Sequence, residues 1–135
     1  MPIGAYSTYV LDGETLYVSG HGPRVDGEIA IRGKLGADLG VAQGYEAARV
    51  TCLNLLATVR LALGDLCRVR KVLKVTGFVN CTPKFGEQAV VVNGASELLR
   101  TAFGDAAGHA RSAIWVAALP NGIPTELEMV LAIRA

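Results

Sequence analysis

Apolar and polar residues alternate in two short segments near the start of the chain, Tyr6–Leu11 and Thr15–Ser19. Successive side chains of a β-strand point to opposite faces, so such alternation is typical of strands with one buried face. The dipeptide Asp12-Gly13 lies between the two segments, and Asp-Gly favours the tight turn of a hairpin. The beginning of the chain is therefore predicted to form a β-hairpin.

Residues 20–40 are rich in glycine. Within them Asp26-Gly27 predicts a second tight turn, because both residue types favour turn conformations. A short strand is expected near Ile29–Ile31. This segment leads into the first helical part of the chain.

Apolar residues then recur three or four positions apart, which is the spacing along one face of an α-helix. The first such segment is followed by Gly64-Asp65, and its apolar positions are Val41, Tyr45, Ala48, Cys52, Leu55, Val59 and Leu63. The second extends from about Glu87 to Phe103 and is closed by Gly104. Two amphipathic helices are predicted.

Three later segments have the character of strands. Val69–Val79 is rich in β-branched residues and predicts one long strand. The segments His109–Pro120 and Thr125–Ile133 are interpreted as two strands that pair with each other, because Asn121-Gly122 and two prolines between them favour a turn. The resulting order, ββ(β)αβαββ, predicts a single α+β domain over residues 1–135: a two-layer fold in which two helices pack on one face of a mainly antiparallel sheet.

The last two strands place polar residues on the sheet. Arg111, Ala113 and Trp115 share one face of the first of these strands, and Glu126 and Glu128 lie opposite the unbroken apolar face of the second. With helices on the apolar side, the arginine, the tryptophan and both glutamates are expected on the non-helical face. Such a surface is unusual for a small monomer and indicates a partner subunit and a polar site.

Composition narrows the classes of function. The net charge is +1, which provides no broad field for nucleic acid or acidic lipids, and no apolar run approaches the roughly 18 residues that span a bilayer. The start of the chain lacks the features of a signal peptide, and Cys52, Cys67 and Cys81 form no pairing or metal pattern. We therefore expect reduced thiols and a cytoplasmic protein. Because 51% of residues are hydrophobic and only 19% charged, an oligomer is favoured.

Several segments are similar to the signature segments of the Rid family, also called the YjgF family, of enamine/imine deaminases: Ile3–Ser7, Leu16–Gly20, Val92-Asn93, Ala110–Pro120 and Glu126–Glu128. The resemblance extends from about Gly4 to the C-terminus. Residues 36–39 and 76–80 look more like a less characterised branch. The resemblance implies a chorismate-mutase-like fold and a homotrimer with a central barrel, with sites in clefts between subunits and no metal or other cofactor.

The resemblance also assigns roles to Arg111 and Glu126. A guanidinium group fits a carboxylate with two parallel hydrogen bonds, and the matching arginine of the family holds the carboxylate of an imine or enamine. Glu126 falls at the water-activating position, where one carboxyl group serves as base and then as acid. A structural salt bridge remains the alternative for Arg111, and an ion pair between subunits for Glu126. Glu128 is interpreted as the structural acid, and the choice between the two glutamates stays open.

Further residues adjoin these positions. Tyr6, Ser19 and Gly20 fall where the family orients its substrate. An interface aromatic is an equal alternative for Tyr6, and a strand that ends in a tight turn is the alternative for Ser19-Gly20. Asn93 lies in the second helix, where a cap-like or interhelical hydrogen bond is an equal alternative. His21 stands where the family usually has glutamine, and it is also a candidate for substrate binding. His109 precedes the arginine motif, and whether either histidine takes part in the chemistry is left open.

The predicted pairing of the last two strands has a geometric consequence. If they meet at Asn121-Gly122, Glu126 lies near Ala117, six residues from Arg111, which is on the order of 20 Å at about 3.3 Å per residue. One hairpin does not bring both groups to a small substrate. A site that uses both is therefore expected to be completed across a subunit boundary.

Other chemistries are less well supported. No metal-ligand spacing, nucleophile elbow or phosphate-binding loop is present in the sequence. A basic run, Arg68–Lys74, is spread over both faces of its strand without aromatic partners, which favours a solvated edge over an RNA site. The sequence favours hydrolytic deamination of small carboxylate-bearing enamines or imines. A non-catalytic trimer that binds small carboxylates, and an enzyme of another reaction type on the same scaffold, remain the alternatives.

Overall fold

The structure is a computed structural model that describes residues 4–135, so Ile3 of the first signature segment lies outside the described residues. The strands are β1 (Tyr9–Asp12), β2 (Thr15–His21), β3 (Arg24–Val25), β4 (Glu28–Ile29), β5 (Val69–Asn80), β6 (Ala110–Val116) and β7 (Thr125–Ile133), and the helices are α1 (Val41–Leu63) and α2 (Gln88–Phe103). Strands β1, β2, β7, β5 and β6 form one five-stranded sheet in that order. Both helices contact this sheet, and only β5 and β6 are parallel. The α+β prediction is confirmed.

The predicted N-terminal hairpin is confirmed. Strands β1 and β2 are antiparallel, and their register pairs Asp12 with Thr15 across a turn that contains Gly13 in the left-handed region (φ 59°). The expected short strand is β4, which begins one residue earlier than predicted and pairs with β3. These two strands form a small ribbon apart from the main sheet.

Both predicted helices are present, with α1 at the predicted bounds and α2 one residue shorter at its start. Gly64, with φ at 81°, ends α1 and donates its N–H to the carbonyl of Arg60. The apolar faces of the helices and of the sheet form a single core. Its fully buried side chains include Leu16, Leu35, Leu55, Val59, Val72, Val75, Val91, Leu99, Leu127, Met129 and Leu131. Among the described residues no helix is long and apolar enough to cross a membrane.

The predicted hairpin of the last two strands is wrong. Strand β6 pairs with β5 in parallel, and β7 lies between β2 and β5 in the middle of the sheet. Two interactions explain the crossing: the backbone N–H of Asn80 donates to the carbonyl of Pro124 (2.9 Å), and its side-chain amide donates to the carbonyl of Ile123 (3.1 Å). The connecting loop is therefore held over the end of β5, and the apolar face of β7 is buried at the centre.

The predicted placement of Arg111 and Trp115 on the non-helical face is also wrong. In the parallel register Arg111 is level with Val75 and Ala113 with Gly77, and these β5 residues face the helices. Arg111 accordingly contacts α2, and the Trp115 indole N–H donates to the carbonyl of Cys81 at 2.7 Å. A change of strand partner thus reverses the expected face, whereas Glu126 and Glu128 remain on the non-helical side.

Candidate functional site

The first group of candidate residues surrounds Arg111 at the edge of the sheet. Nη1 of Arg111 donates to Oδ1 of Asn93 at 2.7 Å and to Oγ of Ser96 at 3.1 Å, and Nη2 donates to the carbonyl of Ala89 at 3.3 Å. Within residues 4–135 Nε has no hydrogen-bond partner, and the single ion pair of the described chain is Glu46–Arg49. The guanidinium group is thus fixed on one side and retains free donors. A structural salt bridge for Arg111 is absent from the described residues.

Helix geometry explains why these partners meet. Ala89, Asn93 and Ser96 are four and three residues apart, so they form one stripe on α2 that faces β6. Strand β6 is an edge strand, which leaves its outer side without a neighbouring strand among the described residues. Asn93 was predicted from the sequence and Ser96 was not, although its position three residues after Asn93 is a signal that places it on the same face.

His109 extends this hydrogen-bond network. Its Nδ1 contacts the carbonyl of Ala107, and its Nε2 lies 2.9 Å from Oγ of Ser96. A carbonyl oxygen only accepts, so Nδ1 carries the proton, and in the neutral ring the Ser96 hydroxyl donates to Nε2. The oxygen of Ser96 then accepts from Arg111. We name Asn93, Ser96, His109 and Arg111 the Arg111 half-site.

The second group of candidates surrounds Glu126 on β7. An ideal Cβ on Gly20 would lie 3.0 Å from Cδ and 3.1 Å from Oε2 of Glu126, so the carboxyl group rests directly against the Gly20 backbone. The register of β2 against β7 shifts between Val18 and His21, and Gly20 lies inside this irregularity. Burial, and to a smaller extent the charge of Glu128, raise the pKa of the half-buried Glu126 carboxyl group. A carboxyl group in this state exchanges its proton more readily near neutral pH.

A cleft of about 520 Å³ lies between the end of β2 and α1, and its lining includes Tyr6, Gly20, His21, Asn54 and Thr58 but not Glu126. The hydroxyl of Ser19 donates to the carbonyl of Ser7 at 2.6 Å, which ties the first loop to β2. His21 contacts the carbonyl of Ser19 through Nδ1 (2.6 Å) and the hydroxyl of Thr58 through Nε2 (2.7 Å). The candidate residues Tyr6, Ser19, Gly20, His21 and Glu126 are here named the Glu126 half-site. Only Gly20 is in direct contact with the Glu126 carboxyl group, whereas His21 faces α1 on the other side of the sheet.

One chain does not bring the two half-sites together. Glu126 is level with Phe78 of β5, and Arg111 is level with Val75, so they differ by three residues along the strands and by two strand spacings, or about 14 Å. This distance between the two residues is shorter than the roughly 20 Å expected from the predicted hairpin. The two side chains nevertheless project from opposite faces of the sheet. No group of three or more potential metal-ligating side chains is clustered within residues 4–135.

Comparison with known proteins identifies the family. Residues 1–126 match the family model described as "YjgF/chorismate_mutase-like, putative endoribonuclease". The chain is 44% identical over 131 residues to "Protein TCP17" of Trypanosoma cruzi, which covers 96% of this chain and 82% of that protein. The solved structure of "the protein Atu1372 with unknown function" from Agrobacterium tumefaciens has a TM-score of 0.95 at 41% identity, with 96% of this chain and 83% of that chain covered.

A further solved structure, RidA from an Antarctic Psychrobacter, has a TM-score of 0.69 at 26% identity, with 98% of this chain and 92% of that chain covered. The match to the family model extends over more than nine tenths of the chain, and the two solved structures share its overall fold. The chain belongs to the YjgF family.

Proposed function

We propose that this protein hydrolyses small carboxylate-bearing enamines or imines to keto acids and ammonia, at sites completed between the subunits of a homotrimer. The observation that supports the proposal is that the candidate polar residues lie in two separate half-sites, one around Arg111 and one around Glu126. A cation with free donors projects from the edge of the sheet, and a carboxyl group with a raised pKa projects from the opposite face. A second copy is needed for the two to meet.

The Arg111 half-site is suited to hold the substrate carboxylate. Asn93, Ser96 and the carbonyl of Ala89 use three of the five guanidinium N–H groups, so an Nε–H and one Nη2–H remain for a ligand. A charge-assisted pair of hydrogen bonds to a carboxylate is about twice as strong as its neutral equivalent. Because Asn93 and Ser96 hold the guanidinium group in advance, little side-chain entropy is lost on binding.

The Glu126 half-site is suited to move protons. The Glu126 carboxylate accepts a proton from the water that attacks the imine carbon, and the same carboxyl group then donates it to the nitrogen. The product of this addition is a carbinolamine. Its hydroxyl proton then passes through the same carboxyl group to the nitrogen while the C–N bond breaks, so that ammonia leaves and the carbonyl of the keto acid forms. An enamine first takes a proton on carbon to give the imine. The raised pKa of Glu126 supports both roles, because it brings the carboxyl group closer to the pH of the reaction.

The non-helical face supports the assembly. Val10, Tyr17 and Ile114 are 54%, 49% and 40% exposed, and the strand register places all three on this face together with Glu126. About half of each side chain is already covered, so burying the rest would stabilise an assembly by roughly 1 kcal/mol per side chain. Three sheets that close into a barrel would cover this apolar surface, and the edge strand β6 of one copy would then approach the Glu126 half-site of another.

RNA cleavage, which the family description also mentions, has less support. Of the basic run Arg68–Lys74, Arg68, just before β5, donates to the carbonyls of Leu63 and Arg134, and Lys74, on β5, donates to the hydroxyl of Ser112. These side chains are bonded within the chain and carry no stacking partner for bases. They support the interpretation as a structural and solvated edge.

The proposal is tested by ammonia release from imines generated in place by an amino-acid oxidase. Wild-type protein is expected to accelerate release, whereas Arg111→Ala and Glu126→Gln each abolish most of the acceleration. Arg60→Ala and Glu14→Gln are the matched controls, since Arg60 lies in the last turn of α1 and Glu14 is an exposed acid in the turn between β1 and β2. No acceleration by wild-type protein refutes deamination. If Arg111→Ala still loses carboxylate binding, the result assigns a non-catalytic carboxylate-binding module.

A mixing experiment tests the shared site directly. Arg111→Ala and Glu126→Gln proteins are unfolded, combined in equal amounts and refolded. In randomly mixed oligomers about one quarter of the clefts between subunits receive an intact Arg111 half-site from one copy and an intact Glu126 half-site from the next. Activity is expected to return to that fraction. A mixture that stays as inactive as either variant contradicts a site built from two chains.

A further inference from the structure

A second cleft, of about 310 Å³, lies between the C-terminal half of α2 and the beginning of β6. Five side chains line it together with the backbone of residues 107–108: Asn93, Ser96, Arg100, His109 and Arg111. Four of them form the Arg111 half-site. Arg100 is the additional member, and neither the sequence patterns nor the proposed reaction assigns it a role.

The charge of this cleft is one-sided. Its lining contains two guanidinium groups and an imidazole, and it contains no acidic side chain. Lys71 adds a further cation, because its Nζ lies 4.0 Å from the position of an ideal Cβ on Gly108. Asp105, in the turn before β6, does not line the cleft, and within the described chain neither arginine has a carboxylate partner within 4 Å. The cleft therefore holds positive charge that the described residues do not neutralise.

Helix geometry places the second arginine close to the first. Asn93, Ser96 and Arg100 are three and four residues apart, so they lie on one face of α2. The guanidinium group of Arg111 contacts the first two, and Arg100 lies four residues, about 6 Å along the helix axis, beyond Ser96. Both arginines line the same cleft, so their charges repel each other, and the repulsion is relieved when an anion lies between or beside them.

We infer that the natural substrate carries two carboxylates, separated by two or three carbon atoms, and that Arg100 selects for the second one. This inference rests on the proposed function, since the first carboxylate is the one held by Arg111. The second extends along α2 toward Arg100, with His109 and the Ser96 hydroxyl beside it. Arg100 is thus a specificity-determining residue, and the substrate class is the imines or enamines of dicarboxylic amino acids.

Equilibrium binding tests the inference without turnover. Calorimetric titrations of the Glu126→Gln protein use succinate, propionate and inorganic phosphate as probes. Succinate is expected to bind about tenfold more tightly than propionate, which is the effect of one added charge-assisted contact. Adding Arg100→Gln is expected to remove this difference while the affinity for propionate changes less than about twofold. Arg60→Gln, a change of an exposed arginine outside the cleft, leaves the difference intact.

Three results would overturn the inference. Equal affinities for succinate and propionate exclude a second carboxylate subsite. If Arg100→Gln weakens the affinity for succinate and for propionate by the same factor, Arg100 contributes only to the overall positive potential of the cleft. A preference for phosphate over succinate that depends on Arg100 assigns the cleft to phosphorylated ligands instead. Arg100 is exposed, so its replacement leaves the core intact, and an unchanged thermal midpoint confirms this.

A kinetic experiment distinguishes a failure of this inference from a failure of the proposed function. Wild-type protein is given imines generated from aspartate and from alanine, and kcat/KM for ammonia release is compared. The aspartate imine is expected to be preferred about tenfold, and Arg100→Gln loses that preference but retains the activity on the alanine imine. If neither imine is turned over, the proposed function fails although the binding preference for succinate stands. If both are turned over equally, the inference alone fails.

Discussion

Gly94 of α2 lies directly against the backbone of α1. An ideal Cβ at this position would lie 2.1 Å from the carbonyl oxygen of Tyr45, 3.0 Å from its carbonyl carbon and 3.2 Å from the backbone N of Arg49. All three atoms belong to the backbone of α1, so no side-chain rotation relieves the overlap. Gly94→Ala therefore requires the helices to separate.

The size of the effect follows from these distances. A carbon atom approaches a carbonyl oxygen to about 3.3 Å, so the helices would move apart by roughly 1 Å. Overpacking of this kind lowers the free energy of unfolding by about 1–3 kcal/mol, and by more where the obstacle is rigid. The higher helix propensity of alanine offsets nearly 1 kcal/mol of this loss. We expect a net loss of about 2 kcal/mol. For a chain of this size that corresponds to a decrease of roughly 5–8 °C in Tm.

The same displacement disturbs the Arg111 half-site. Asn93 and Ser96 lie on α2 beside Gly94, and their contacts to Arg111 are 2.7 and 3.1 Å. A shift of about 1 Å takes both beyond ordinary hydrogen-bond distance. Carboxylate binding is therefore expected to weaken although no side chain of the half-site has been changed.

Differential scanning calorimetry at equal protomer concentration measures the first effect, and titration with propionate measures the second. Gly86→Ala is the matched control, because an ideal Cβ on Gly86 meets no atom within 4 Å and its φ is not in the left-handed region. This control should be neutral or slightly stabilising. A Gly94→Ala protein with the Tm of the wild type would refute the argument that a rigid helix contact sets this position.

Two further predictions concern the Glu126 half-site. The pKa of Glu126 is raised mainly by burial, so the folded state binds the Glu126 proton more tightly than the unfolded state does. The contribution of this group to the free energy of unfolding is therefore fully present below the unfolded-state pKa, and it is lost as the pH rises through the folded-state pKa. Glu126→Gln should therefore raise Tm relative to wild type at about pH 8 and not at about pH 3.5, and equal calorimetric shifts at both would contradict this cause. Gly20→Ala brings a methyl group to 3.0 Å from Cδ of Glu126, so ammonia release should decrease several-fold with a change in Tm of only a few degrees. Unchanged turnover would show that Gly20 does not position the carboxyl group.

Local sequence patterns predicted most of the elements. The turn at Asp12-Gly13, the apolar stripe of α1 and the β-branched strand β5 all depend on interactions between residues close in the chain, and each is found where expected. The partner of β6 was different because it depends on a distant interaction. Asn80 holds the loop before β7 over the end of β5. No local sequence pattern predicts this contact, because its partners are more than 40 residues away in the chain.

The same error changed the face assigned to Arg111. Alternation along β6 correctly grouped Arg111 with Ala113 and Trp115, but it does not determine which side of the sheet the group faces. That choice depends on the register with β5, where Arg111 is level with the buried Val75. The roles of Arg111 and Glu126 came from the family resemblance and remain proposals. Ser96 and Arg100 were identified from the packing of α2 against β6.

The two histidines have parallel environments that bear on the assignment of the proton carrier. In each ring Nδ1 contacts the carbonyl of the residue two positions earlier, and Nε2 contacts a hydroxyl group on a helix, Thr58 for His21 and Ser96 for His109. A ring with both nitrogens bonded to the protein fastens a strand end to a helix and has no free lone pair for a water molecule. Glu126, half-buried with its pKa raised, has no hydrogen-bond partner within the described residues. For the proposed reaction we therefore expect the carboxyl group, rather than either imidazole, to exchange protons with the substrate.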